Sequence, residues 1–250
     1  MKAILVGNAA SLLESENGHL IDEFDIVIRF NDFRIKGYEK HCGTKTDIVV
    51  TGSNKKLAHM IDKSNKPSHG WWEGNGCICD DYMETVDTVW YSVSKEWAEK
   101  HGTTCEEIAT MSNVVNFSFM DGICSAANPE SPFFYGVENI SPDRKASPSA
   151  GINAIAYATS SSRGQKVTGE PFETNPCLKG FDIFITGFDG FSSGHYFQDN
   201  NFPKLPKDAS VEEIEEQMRG IQDTFGHNAQ IEKNIVKRLL ELEWIYELKS

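Results

Sequence analysis

No stretch of this chain approaches the ~20 consecutive apolar residues that a membrane-spanning helix requires, so no segment is expected to cross a bilayer. Met1 to Asn8 is shorter than a signal peptide and passes at once into a strand-and-turn pattern, so no leader is expected. Positive charge is scarce, with 24 Lys and Arg against 37 Asp and Glu and a net charge of −13. Nucleic acid and anionic membranes both reward a basic surface, so neither is an expected partner. The same field opposes any anionic small ligand, which must then be held by local hydrogen-bond donors. Metal-binding patterns are missing too. The six cysteines (Cys42, Cys77, Cys79, Cys105, Cys124, Cys177) are scattered. Cys77 and Cys79 are separated by one residue rather than the two to four of a zinc half-site, with no second pair following. They read as buried thiols. Asp80-Asp81 reads as a solvated loop, and Asp189 has no second carboxylate beside it in the sequence. No metal and no other cofactor is expected. Internal repeats, low-complexity tracts and interdomain linkers are absent as well.

What is present is an α/β pattern of one-domain length. A chain of 250 residues can bury a sizeable core. Ile4-Leu5-Val6-Gly7-Asn8 is a short apolar strand opening into a turn of small residues. Phe24 to Asn31 reads as a second strand with Asn31 at its carboxyl end, and Ile48 to Thr51 as a third. Val86 to Val93 reads as another strand, residues 149–161 as a helix starting on Pro148-Ser149, and Asp182 to Thr186 as a buried strand. Residues 198–209 form a Pro/Asn/Lys loop, and Ser210 to Glu213 is a capping box opening a helix to about Met218. Alternation of strands and helices predicts a Rossmann-like, mainly parallel sheet flanked by helices on both faces, within one domain over 1–250. Residues 52–140 are less periodic and rich in Trp, Asn and Ser.

The tail joins a histidine to a helix. Ile231, Ile235, Leu239 and Leu242 recur at helical spacing and predict a core-facing stripe. Asn228 is a suitable N-cap, which sets His227 just outside the first turn. The positive end of the helix dipole disfavours imidazolium there. A neutral histidine near pH 7 is what a general base needs. Glu232 follows five residues later, about 140° around the helix, so it orients local structure without having to touch His227.

Taken in order, these pieces resemble the four sialyl motifs of the eukaryotic-type sialyltransferases, glycosyltransferase family 29. Residues 3–47 are similar to the large motif and residues 147–188 to the small motif. His195-Tyr196-Phe197 is similar to the third, and His227 with Glu232 to the His-x4-Glu of the very small motif. The resemblance covers roughly a third of the chain, at its two ends. It implies the GT-A-like fold variant of that family, a CMP-sialic acid donor, a glycan acceptor and inverting transfer. It implies donor contacts from Asn8, Asn31, Ser149, Ala150, Gly151 and Gly187, with His195 stabilising the leaving phosphate and His227 as the base. Residues 52–140 would supply the acceptor side. A CMP leaving group carries one phosphodiester, so hydrogen bonds without a metal suffice to stabilise it.

Two departures from the family pattern stand out. Ala150 replaces the usual Thr, which removes one hydroxyl contact. The positions that relatives join by a disulfide are Ala3 and Gly180, so that bridge cannot form. The expected loss of that bridge, with no anchor expected, agrees with a reducing, cytoplasmic setting, and a bacterial or viral source is expected. Other readings stay open. A nicotinamide oxidoreductase is disfavoured because Val6 to Ser11 lacks G-x-G-x-x-G spacing. A CMP-Kdo-dependent enzyme of the same fold and a non-catalytic CMP-sugar-binding protein both remain.

Overall fold

Segments near the N-terminus, and again at 182–186, carry the apolar density that a fully covered sheet needs. The computed structural model describes residues 1–30, 33–51, 88–91, 113–116, 149–164, 178–189 and 229–249. Among these residues seven strands form one sheet: β1 Lys2–Val6, β2 Ile26–Phe30, β3 Ile48–Thr51, β4 Thr88–Tyr91, β5 Asn113–Asn116, β6 Asp182–Thr186 and β7 Tyr246–Glu247. Their order is β5-β4-β3-β2-β1-β6-β7, and every pairing is parallel. The chain therefore builds outward from β1 to β5, then crosses back to lay β6 on the opposite side of β1. That reversal is a topological switch point between β1 and β6. The Rossmann-like sheet read from the sequence is the one observed.

Helices cover both faces, so strand residues of both parities are buried. On one face Ala3, Leu5, Ile28, Phe30, Ile48, Val50, Ile183 and Ile185 join a core with residues of α3 (Ala150–Arg163) and α4 (Ala229–Glu241). Trp90 of β4 meets Tyr157 of α3 edge to face, with centroids 4.9 Å apart. On the other face Ile4, Val27, Arg29 and Val49 are equally buried. There lie a 3-10 turn (Ala10–Glu14) and the short helices α1 (Gly18–Asp22) and α2 (Glu39–Cys42).

Arg29 organises that second face. Its Nε donates to the Lys45 carbonyl (3.1 Å) and to Thr46 Oγ1 (2.9 Å). Its Nη2 donates to the carbonyls of Cys42 (2.7 Å) and Lys45 (2.9 Å). The guanidinium, wholly buried, thus fastens the Cys42–Thr46 turn beneath β2. Asp22 grips the same turn from α1, accepting from Thr44 N and Lys45 N. Asp47 closes it by accepting from Val27 N at 2.7 Å. Cys42 is a buried thiol whose Sγ lies 3.5 Å from the carbonyls of Arg34 and Gly43.

The helix on 149–161 is present as α3, capped by Ser149 and ended by Gly164 in the left-handed region (φ 67°). The tail helix keeps Ile235 and Leu239 in the core with Ile231 packed against it. Leu242 departs from the expected stripe: α4 stops at Glu241, and Leu242 is exposed. Glu243 takes a positive φ of 53°, the chain turns, and Ile245 fills the core instead. Arg163 at the end of α3 lies over the Trp244 ring at 4.2 Å, so the two helices also meet at their C-terminal ends. Strands β5 and β7 have no counterpart in the sequence reading. The expected acceptor-side segment 52–140 supplies β4 and β5, and the rest of it lies outside the described residues. So do the loop 198–209, the capping box at Ser210 and the N-cap at Asn228.

Candidate functional site

Open α/β sheets bind ligands beyond the carboxyl ends of their strands, at the switch point. Here β1 and β6 end side by side there, with Val6 paired to Thr186. Gly7 N donates to the Thr186 carbonyl at 2.8 Å, and Ala9 N to the Gly187 carbonyl at 3.2 Å. The two turns are so close that only glycine fits. A Cβ on Gly7 would lie 2.2 Å from the Gly187 carbonyl oxygen, and one on Gly187 would lie 2.7 Å from the Gly7 oxygen. Gly187 also has φ +70°, a conformation that side chains resist. The close backbone approach expected of Gly187 is made, in this structure, to Gly7.

Asn8 Nδ2 donates to the Phe30 carbonyl at 2.9 Å, tying the turn after β1 to the end of β2. Its amide oxygen remains as an acceptor. Phe188, next after Gly187, gathers three segments. Its ring meets Phe30 edge to face at 5.5 Å. Its edge also lies against α3, where a Cβ on Gly151 would come within 2.9 Å of Phe188 Cε1. Gly151 is therefore needed for packing, and the mouth of α3 is held against the switch point.

Ser149 sits at that mouth. Its Oγ accepts from Ile152 N at 3.2 Å as the N-cap. Its N–H donates to Glu232 Oε1 and its hydroxyl to Glu232 Oε2, both at 2.7 Å. Glu232 lies in the first turn of α4 and is only 4 % exposed. Burial pushes its carboxyl up to about 7, while the side-chain and backbone hydrogen bonds from Ser149 pull the other way. The anion seat that a helix N-terminus offers is thus occupied by the protein's own carboxylate. Ala150 and Gly151 follow as the first helical residues, whose N–H groups have no intrahelical acceptor.

Of the residues singled out in the sequence, the structure brings Asn8, Ser149, Ala150, Gly151 and Gly187 to one edge of the sheet. Asn31, His195 and His227 lie outside the described residues. The sequence reading missed Phe188 as the joint between turns, and it missed what Glu232 orients. Ser149 and Glu232 are 83 residues apart, so no local pattern signals their contact. Among the described residues no cluster of three His, Cys, Asp or Glu side chains could hold a metal. No described helix is long and apolar enough to cross a membrane.

Comparisons with known proteins follow the same geography. Residues 2–115 match the family model of glycosyltransferase family 29 (sialyltransferase). A β-1,6-galactosyltransferase of Arabidopsis thaliana is 35% identical over 91 residues, 36% of this chain and 20% of that protein. The lactosylceramide α-2,3-sialyltransferase of Rattus norvegicus is 42% identical over 50 residues, 20% of this chain and 13% of that protein. The chain thus spans a fifth or less of the length of these curated relatives in the matched regions. The crystal structure of a mammalian sialyltransferase superimposes on 100% of this chain and 69% of its own, with a TM-score of 0.51 at 14% identity. That likeness extends the shared fold beyond residue 115, to the helices and strands that complete the switch point. Over residues 2–115 the chain is thus similar to glycosyltransferase family 29, and over its whole length it shares the sialyltransferase fold.

Proposed function

We propose that this protein is an inverting, metal-independent glycosyltransferase that moves sialic acid from CMP-sialic acid to a hydroxyl of a glycan acceptor. The observation behind this reading is the meeting of three motif segments at one switch point. Gly7 and Asn8 come from the first, Ser149 and Gly187 from the second, and Glu232 from the last. The 42% identity to a sialyltransferase over 50 residues supports the same donor class.

In this reading the acceptor hydroxyl attacks the anomeric carbon directly, the bond to the CMP phosphate breaks, and configuration inverts. His227 takes the hydroxyl proton. His195 stabilises the charge that grows on the departing phosphate. One phosphodiester carries less charge than a pyrophosphate, so hydrogen-bond donors at the sheet edge suffice and no cation is needed. The substitution of Ala3 and Gly180 for a family disulfide supports a domain that works in a reducing, cytoplasmic setting.

The test is CMP release from CMP-sialic acid by purified protein in excess chelator. Release that accelerates with a glycan acceptor is expected. Full dependence on added Mg²⁺ or Mn²⁺ would overturn metal independence, and tight binding of NAD in place of CMP would sink the reading. A second reading, galactosyl transfer, is favoured by the 35% identity over 91 residues to a galactosyltransferase. Parallel assays with UDP-galactose and CMP-Kdo separate these donors.

A further inference from the structure

The Ser149–Glu232 contact has no spare donor. The serine hydroxyl hydrogen goes to Glu232 Oε2, and one of its lone pairs is taken by Ile152 N. While Glu232 is ionised, Ser149 therefore offers no hydroxyl to a ligand. A phosphate arriving at Ala150 and Gly151 would also bring a second negative charge to a helix mouth that already holds one. Two anions sharing one low-dielectric site do not both stay ionised at neutral pH.

We propose that Glu232 is a proton-controlled positioning residue for the phosphate of the sugar nucleotide. Ionised, it sequesters the Ser149 hydroxyl; on taking one proton from solvent as the phosphate enters, it reverses that hydrogen bond and frees the hydroxyl to donate to the phosphate. The step balances without further reactants. The proton from water sits on Oε2 and points at the second lone pair of Ser149 Oγ. The Ser149 hydrogen rotates to a phosphate oxygen, Ser149 N–H stays on Oε1, and the cap to Ile152 N is kept. The inference rests on the proposed function only in taking the ligand to be a sugar nucleotide.

The electrostatic setting supports it. Burial drives the Glu232 carboxyl upward, and among the described residues no charged side chain contributes. On its own helix Lys237, Arg238 and Glu241 are exposed and Lys233 is half-buried. On α3 the charged residue is Arg163, at the far end over Trp244. On the turn after β6 it is Asp189, a further negative group. Among these described groups none sets a positive charge beside Glu232, which favours proton uptake when a phosphate enters.

Calorimetry of sugar-nucleotide binding in buffers of different ionisation enthalpy tests this. CMP-sialic acid and UDP-galactose are the probes, because their phosphate charge does not change from about pH 6 to about pH 9, and cytidine is the phosphate-free control. The wild-type protein should take up a proton, approaching one per site at about pH 8, and lose affinity about five- to tenfold per pH unit above about pH 7. Cytidine should show neither effect. Glu232→Gln presents an amide donor to Ser149 Oγ, so it should bind at about pH 8 at least as tightly as the wild type, with no uptake. Binding without proton uptake would overturn the proposal and leave the function standing. Equal uptake by a folded Glu232→Gln, or weaker binding by it at every pH, would also overturn the proposal. Should that variant not fold, the wild-type contrast between CMP-sialic acid and cytidine decides. Binding of neither sugar nucleotide would overturn both readings.

Discussion

Gly7 and Gly187 touch backbone to backbone, each leaving no space for a Cβ on the other. This contact joins the turns after β1 and β6 and sets the floor of the switch point. Gly7→Ala should be severely destabilising, since the atom it would strike at 2.2 Å is a backbone carbonyl rather than a movable side chain. Overpacking of this kind costs about 1–3 kcal/mol or more. Thermal melting should show the loss, and nucleotide binding should fall with it. A Gly7→Ala protein with wild-type melting and binding would mean the turns are not held in this arrangement.

Arg29 should be hard to replace. It carries four hydrogen bonds to the 42–46 turn from a wholly buried position. Arg29→Met removes the charge but leaves buried carbonyls of Cys42 and Lys45 without these donors, a loss of about 3 kcal/mol. Arg29→Lys keeps one charged donor and should lose less. Urea unfolding of the two variants gives the comparison, and equal midpoints for Met, Lys and wild type would refute it.

Glu232 makes stability depend on pH in a stated direction. Its folded-state value, about 7, lies above the ordinary 4.5. A raised carboxyl favours the folded state when protonated, so this contribution is complete below about pH 4.5 and is lost as pH rises through about pH 7. The difference corresponds to about 3 kcal/mol. The stability gap between wild type and Glu232→Gln should shift in favour of Gln by about that amount from pH 4.5 to pH 8. Urea melts across the range measure it, and a gap that stays flat would show that the carboxyl is not raised.

The two motif histidines should fail differently when removed. His227→Ala should lose transfer by about 10²–10⁴-fold while keeping CMP affinity, because a general base faces the acceptor. In the proposed mechanism His195 meets the phosphate before and during transfer, so His195→Ala should weaken CMP binding as well as turnover. The rate should rise with pH through a group near ~6–7, and His227→Ala should remove that limb. Near-normal transfer by folded His227→Ala would end its assignment as base, and the opposite split in CMP affinity would exchange the two roles.

Much of the framework was legible from residue order alone. Strand period and apolar density located β1, β2, β3, β4 and β6, because a strand covered on both faces must be apolar nearly throughout. Pro148-Ser149 marked the start of α3, because an N-cap needs a side-chain acceptor at that one position. Local chemistry has a short reach, however. Strand β7 is two residues long and carries too little pattern to read, and Leu242 fits the helical stripe yet falls after α4 has ended. The pairing of Gly7 with Gly187 depends on strand order, which a crossover decides and no local spacing records. Glu232 could be assigned an orienting part from its place on the helix, but not its target: Ser149 is 83 residues away and becomes a neighbour only when α3 and α4 pack side by side on one face of the sheet. The sequence by itself determined β1 to β4, β6, α3 and α4, and the hydrogen-bonding residue types that stand at their ends. Tertiary packing decided which of those groups are already occupied, because burial without a counter-charge is a property of neighbours in space.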